Sequence, residues 1–130
     1  MVDYRTMISG MPRGVERAVL TALSTRVGFK NAIGRQSLVS AVIRQGVDAR
    51  ERVVREAIKT LRRRGVLICS AAGVDGGYYL AASRVEYEEF RKMEYAGKIK
   101  DMSETMRAMD EAAGRAFGGS QPVEQLGMGL

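Results

Sequence analysis

The feature that most constrains the fold is a basic helical segment that runs into two short apolar segments. Residues 48–64 carry seven Arg and Lys side chains, and Val54, Ala57, Ile58 and Leu61 recur among them at helical spacing. Like charges three or four residues apart on a helix repel each other, so these charges do not stabilise the helix. We therefore expect the apolar stripe to face a core and the basic side chains to serve a partner.

Two amphipathic helices are predicted before the basic helix. One begins after Pro12, the other covers residues 35–45, and a brief strand is expected around Ala32 and Ile33. Their apolar faces comprise Val15, Ala18, Val19, Ala22 and Leu23 in the first helix and Leu38, Val39, Val42 and Ile43 in the second. For the basic helix itself, Asp48 is the predicted N-cap and Gly65 the C-terminal stop.

Two strands and a long helix are predicted after the basic helix. VLICSAA and YYLAAS, residues 66–72 and 78–83, are rich in β-branched, aromatic and apolar residues, and the Asp-Gly step between them suits a hairpin. Ser83 followed by Glu86 is typical of a capping box. We expect a helix over 84–116, whose first part packs on the domain through Tyr87, Phe90 and Met93.

Charge and composition exclude several classes of function. Residues 1–65 hold 14 Lys and Arg against 5 Asp and Glu, whereas residues 66–130 hold 7 against 10. A basic first half favours a polyanionic partner. The chain has no histidine, and we expect its one cysteine, Cys69, to be a small buried apolar residue. We therefore expect neither an enzyme nor a cofactor or metal site, and the lack of signal and membrane-spanning patterns predicts a cytoplasmic protein.

The order helix, strand, helix, helix, strand, tight turn, strand resembles the winged helix-turn-helix DNA-binding family. GRQSLVSAVIRQGVDARERVVREAIKTLRRRGVLI, residues 34–68, is similar to that family's run of helix, glycine-containing turn and recognition helix. GGYYLA followed by a long helix also resembles small winged-helix proteins of phages and prophages. The resemblance implies an α+β fold, with a winged-helix domain over 12–83 and a long helix over 84–116. The residue pattern adds an arm over 1–11 and, from its glycines, proline and low charge, a flexible tail over 117–130.

The resemblance implies that the basic helix lies in the major groove of double-stranded DNA. With the apolar stripe inward, Arg50, Arg52, Arg55 and Lys59 are expected to project toward base edges and phosphates. The predicted contacts with phosphates come from Arg62 and Arg63 at the end of this helix and from Arg35 and Arg44, which flank the helix before it.

Other residues weaken or qualify this interpretation. Glu51 and Glu56 lower the positive charge of the same helix, and Arg52 with Glu56 has the spacing of an ordinary surface ion pair. The hairpin turn carries Asp75 and no basic residue, so we expect little DNA contact from it. Tyr78 and Tyr79 are adjacent on a strand, so at most one of them faces outward.

Two features of the C-terminal third indicate protein partners. The long helix carries a short heptad seam that predicts a homodimer. The seam comprises Ile99, Met102, Met106, Met109 and Ala113, continuing to Ala116. In the tail, QLGMGL resembles the peptide by which many bacterial replication proteins bind the sliding clamp. Its matching positions are Gln125, Leu126, Met128 and Leu130.

The sequence thus predicts a dimeric DNA-binding protein, most simply a phage or bacterial transcriptional regulator. One alternative is a phage or plasmid replication accessory protein that recruits a partner through its tail. Another is a winged helix whose basic face binds an acidic protein.

Overall fold

The computed structural model describes residues 3–72 and 76–118. The order of its helices and strands confirms the predicted α+β class with a long C-terminal helix. The elements are α1 Tyr4–Ser9, α2 Val15–Leu23, β1 Ile33–Gly34, α3 Arg35–Arg44, α4 Glu51–Arg63, β2 Ile68–Ser70, β3 Gly77–Leu80, α5 Arg84–Arg91 and α6 Gly97–Phe117. A 3₁₀ turn covers Phe29–Asn31, and a π-helical turn covers Lys92–Ala96.

The described residues form two compact units, one within residues 3–90 and the other within residues 91–118. In the first unit, α2 packs against α3 and α4, and the sheet closes the core. The most deeply buried side chains come from all of these elements and include Leu20, Leu23, Leu38, Leu61 and Leu80. Within the described ranges, every helix is too short or too polar to span a bilayer.

The sheet has three antiparallel strands in the order β1-β3-β2, so β3 is central. Because adjacent strand residues point to opposite faces, Tyr78 and Leu80 join the main core whereas Tyr79 lies on the other face. There Tyr79 packs with Cys69 and Phe90, and both tyrosines are buried. Cys69 is buried, as predicted, and burial raises the pKa of its thiol to about 11.

The N-terminal segment differs from the loose arm expected over residues 1–11. It contains α1, whose N-cap is Asp3: the carboxylate accepts a hydrogen bond from the Thr6 amide at 3.1 Å. Tyr4, Ile8 and Met11 pack against the main core. Tyr4 and Ile8 are one helical turn apart, so a single turn of helix brings both partly buried side chains against the core, and the cap satisfies a free amide.

Two predictions about α3 and the start of α4 were wrong. The N-cap of α4 is Arg50, not Asp48, because the chain stays extended through Arg50 while Val47 and Ala49 pack against the core. In α3, Ile43 is 51 % exposed although it was assigned to the apolar face. It lies about 100° around the helix axis from its buried neighbour Val42, which turns it away from the core.

The predicted end of α4 agrees with the structure, and so does the predicted start of α5. Gly65 has φ of 93° and follows α4, and the amide of Val66 donates back to the carbonyl of Leu61 at 3.0 Å, which completes a Schellman motif. At the start of α5, the Glu86 amide donates to Ser83 Oγ at 3.2 Å, which is one of the two hydrogen bonds of a capping box. The Glu86 carboxylate accepts hydrogen bonds from the amides of Ala82 and Phe29.

Gly77 is the residue at which the sheet tolerates no side chain. A Cβ atom on Gly77 would collide with the backbone of Ile33 in β1, whereas a Cβ on its partner Gly34 would meet nothing within 4 Å. Backbone atoms at this position cannot move aside without breaking the β1–β3 pairing. The close approach of β1 to β3 therefore depends on this glycine.

We predict that Gly77→Ala lowers the free energy of unfolding by about 2 kcal/mol or more, because it overpacks the β1–β3 contact. Urea denaturation followed by circular dichroism measures the change. Gly34→Ala is the matched control and is expected to cost less than about 1 kcal/mol, mainly as a poorer helix N-cap. Equal losses in the two variants would contradict this account.

Candidate nucleic-acid interface

The buried stripe of α4 determines which of its side chains face solvent. Val54, Ala57, Ile58 and Leu61 are each at most 3 % exposed and pack against the core. Successive helical residues are about 100° apart around the axis, so the side opposite this stripe is defined by the sequence of α4. The rotation of the helix is therefore set by burial of the stripe.

Four charged side chains occupy the side of α4 opposite the core. They are separated by four, three and four residues, so they form one line along the helix. We call this line the outer stripe; it comprises Arg52, Glu56, Lys59 and Arg63, all exposed. The helix thus presents three positive charges and one negative charge on a single face.

Other exposed residues flank the outer stripe. Arg55 lies about 60° to one side of it, and Val53 and Thr60 lie on the other side. Arg50, the N-cap residue, is also exposed and has extended backbone angles. The structure therefore keeps Arg50, Arg52, Arg55 and Lys59 on the solvent side, as the sequence predicts, but only two of these four belong to the outer stripe.

The charges of α4 have no ionic partner in the described part of the chain. The ion pairs there join Arg84 to Glu88 and Lys98 to Glu94, and both lie outside α4. Arg52 and Glu56 have the spacing of a surface pair but do not form one. No side chain caps the first turn of α4, so its free amides add a positive end to the helix dipole beside Arg50.

Arg62 differs from the other basic residues of α4 because its side chain makes contacts within the protein. Its Nε donates to the carbonyl of Ile68 at 2.8 Å, and its guanidinium carbon lies 5.1 Å from the ring centroid of Phe90. Its Nη2 atom is buried. Arg62 therefore links α4, β2 and α5 and is not available for the phosphate contact that the sequence predicts. Arg63, one residue later, is exposed on the outer stripe.

The two arginines of α3 do not form one site. Arg35 is the first residue of α3 and Arg44 the last, and both are exposed. Nine residues separate them by about 13 Å along the axis and about half a turn around it. The structure therefore presents them on different sides of α3, although the sequence suggested a common role for both as phosphate contacts.

Two sequence predictions lie partly or wholly outside the described residues. The prediction of a hairpin turn involves residues 73–75, including Asp75, which lie outside the described residues. The prediction of a partner-binding peptide in the tail also lies outside them; it involves Gln125, Leu126, Met128 and Leu130. The strands that flank the turn pair as predicted, with Cys69 opposite Tyr79. Because Tyr78 and Tyr79 are both buried, neither presents its ring at the surface.

In the second unit, the predicted seam of α6 is exposed along its whole length. Ile99 is 64 %, Met102 72 % and Met109 68 % exposed, and no residue of α6 is buried. Phe90 of the preceding helix is buried as predicted, whereas Met93 is 73 % exposed, contrary to the prediction. The apolar seam therefore remains available to a partner.

Comparisons of the chain with protein-family models, curated proteins and solved structures found no match.

We predict that Arg62→Ala lowers the free energy of unfolding by about 2 kcal/mol, through loss of a charged hydrogen bond and the contact with Phe90. Urea denaturation of the purified protein measures it. Arg63→Ala removes the same charge one residue away and should change stability by less than about 0.5 kcal/mol. If the two variants lost stability equally, the structural assignment of Arg62 would be wrong.

Proposed function

We propose that this chain is a double-stranded DNA-binding protein of the winged-helix type that inserts α4 into the major groove, and that it acts as a transcriptional regulator of phage or bacterial kind. The observation that carries the proposal is the outer stripe. It places Arg52, Lys59 and Arg63 in one line on an exposed helix whose opposite side is fully buried. Such a helix can enter the major groove of DNA while its apolar side stays buried in the protein core.

Electrostatics favours a polyanion as the partner of this face. The basic side chains of α4 have no intramolecular ion pair in the described residues, so binding phosphates there breaks no ion pair. Arg50 lies at the N-terminus of α4, where the free amides and the helix dipole also favour phosphate. Arg55 on one flank and Arg44 on α3 can add phosphate contacts. Such contacts position the protein on DNA, and outer-stripe contacts with base edges provide specificity.

The topology supports the winged-helix part of the proposal. The order α2, β1, α3, α4, β2, β3 is the order of elements on which the resemblance rests. In that arrangement α3 and α4 form the helix-turn-helix, and the second of these helices reads the groove.

We also propose that two copies associate through the seam of α6. Ile99, Met102, Met106 and Met109 lie on one side of α6, and their exposure leaves that apolar side in water unless a second helix covers it. Burial of each side chain would contribute about 1.5–3 kcal/mol before the cost of association. A dimer would carry two copies of α4, which suits a two-fold DNA site.

For DNA binding, we predict that the affinity for duplex DNA falls steeply with salt, with a slope in log K against log salt of about 0.9 per phosphate contacted. Fluorescence anisotropy over a salt series measures the slope. Arg50→Ala with Arg55→Ala should weaken binding and reduce the slope by about 1 for each phosphate contact that is lost.

The control for that experiment removes two exposed charges from α6, by Lys100→Ala with Arg107→Ala. It alters net charge equally and should leave the slope nearly unchanged. Absence of duplex binding by the wild type at low salt would overturn the proposal and would favour an acidic protein as the partner of the outer stripe.

For the dimer, we predict that Met106→Asp shifts the protein from dimer to monomer, because it places a charge in the centre of the seam. Sedimentation equilibrium over a concentration series measures the mass. Ala108→Asp adds the same charge to α6 two residues away from the seam residue and should leave the dimer intact. A wild-type protein that is monomeric at high micromolar concentration would contradict the dimer.

A further inference from the structure

We infer that Glu56 is a specificity-determining residue, whose carboxylate accepts a hydrogen bond from the exocyclic amine of cytosine in the major groove. The inference rests on the proposed function, in which α4 lies in that groove. From the sequence, Glu56 lowers the positive charge of the helix and has the spacing of a surface ion pair with Arg52. The structure places it instead at the middle of the outer stripe.

The position of Glu56 is unfavourable for any role in phosphate binding. It lies one helical turn after Arg52 and three residues before Lys59, on the side of α4 that is farthest from the core. A carboxylate has no proton to donate at neutral pH, so it repels the phosphates that its basic neighbours attract. A helix selected only to hold the DNA backbone would gain from a neutral or basic residue here.

The carboxylate of Glu56 is also not engaged within the protein. Its side chain is exposed, and neither a salt bridge nor a hydrogen bond joins it to Arg52 or to another side chain in the described ranges. By contrast, Glu86 holds the amides of Ala82 and Phe29, and Glu94 pairs with Lys98. The oxygens of Glu56 are therefore free to accept hydrogen bonds from a ligand in front of α4.

The chemistry of base edges selects the ligand. In the major groove, guanine presents acceptors and thymine presents an acceptor and a methyl group, so neither offers a hydrogen to a carboxylate. Adenine offers its N6 amine, but its N7 acceptor lies beside that amine and repels a carboxylate. Cytosine offers its N4 amine without an adjacent acceptor. Glu56 therefore favours cytosine, whose paired guanine or a neighbouring guanine is available to Arg52.

The test compares base preferences by selection from a library of randomised duplexes, followed by anisotropy titration of single-base variants of the selected site. We expect the wild type to prefer cytosine at one position by roughly 10-fold. Glu56→Gln should lose that preference and favour adenine there, because a glutamine amide can both donate to N7 and accept from N6. Preferences at the other positions of the site should be unchanged.

The control is Glu51→Gln, which makes the same chemical and charge change on the same helix. Glu51 is exposed in the first turn of α4, about 110° around the axis from the middle of the outer stripe. Each variant removes one negative charge, so both should bind duplexes that lack the selected cytosine more tightly than the wild type does. Only Glu56→Gln should alter the base preference, and a change that both variants shared would overturn the inference.

The failure of this inference can be distinguished from the failure of the proposed function. If the wild type binds duplex DNA and Glu56→Gln keeps the same cytosine preference, the assignment of Glu56 is wrong and DNA binding stands. Duplex binding without any base preference would also overturn the assignment alone. If the wild type binds no duplex at low salt, the proposed function fails and the inference fails with it.

Discussion

Burial of one apolar stripe of α4 fixes the orientation of the basic helix in this protein. Val54, Ala57, Ile58 and Leu61 lie in the main core with α2, α3 and the sheet, and together they hold the helix at one rotation. A rotation by one residue, about 100°, would bury charged side chains and expose apolar ones, which is strongly unfavourable. Packing on one side of the helix thus determines the charges on the other side.

The sheet depends on a second constraint, which is the narrow space between β1 and β3. Gly77 leaves room for the backbone of Ile33, and β3 can then pair with strands on both of its sides. The face of the sheet that points away from the main core is covered by Phe90, and Arg62 packs on the ring of Phe90. Arg62 of the basic helix therefore stabilises the fold, whereas the next residue, Arg63, is exposed to solvent.

Local sequence signals predicted much of the fold because they depend on residues close together in the chain. Periodic apolar residues predicted α2, α3 and α4. Gly65 ends α4 because glycine adopts a φ of 93° easily. Ser83 caps α5 by accepting a hydrogen bond from the Glu86 amide, three residues along the chain. The failures at α1 and at Asp48 involve residues whose positions depend on packing against distant parts of the chain. Tyr4 and Val47 contact the main core, and no local pattern shows that contact.

For the candidate site, the sequence by itself determined that a basic amphipathic helix exists and which of its residues are apolar, because helical periodicity is a property of the chain alone. Only the tertiary structure decided which charges are available. It assigned Arg62 to Ile68 and Phe90, set Arg35 and Arg44 on different sides of α3, and left Glu56 exposed without an ion pair in the described residues. The physical reason is that the availability of a side chain depends on its neighbours in space, and the chain order does not specify those neighbours.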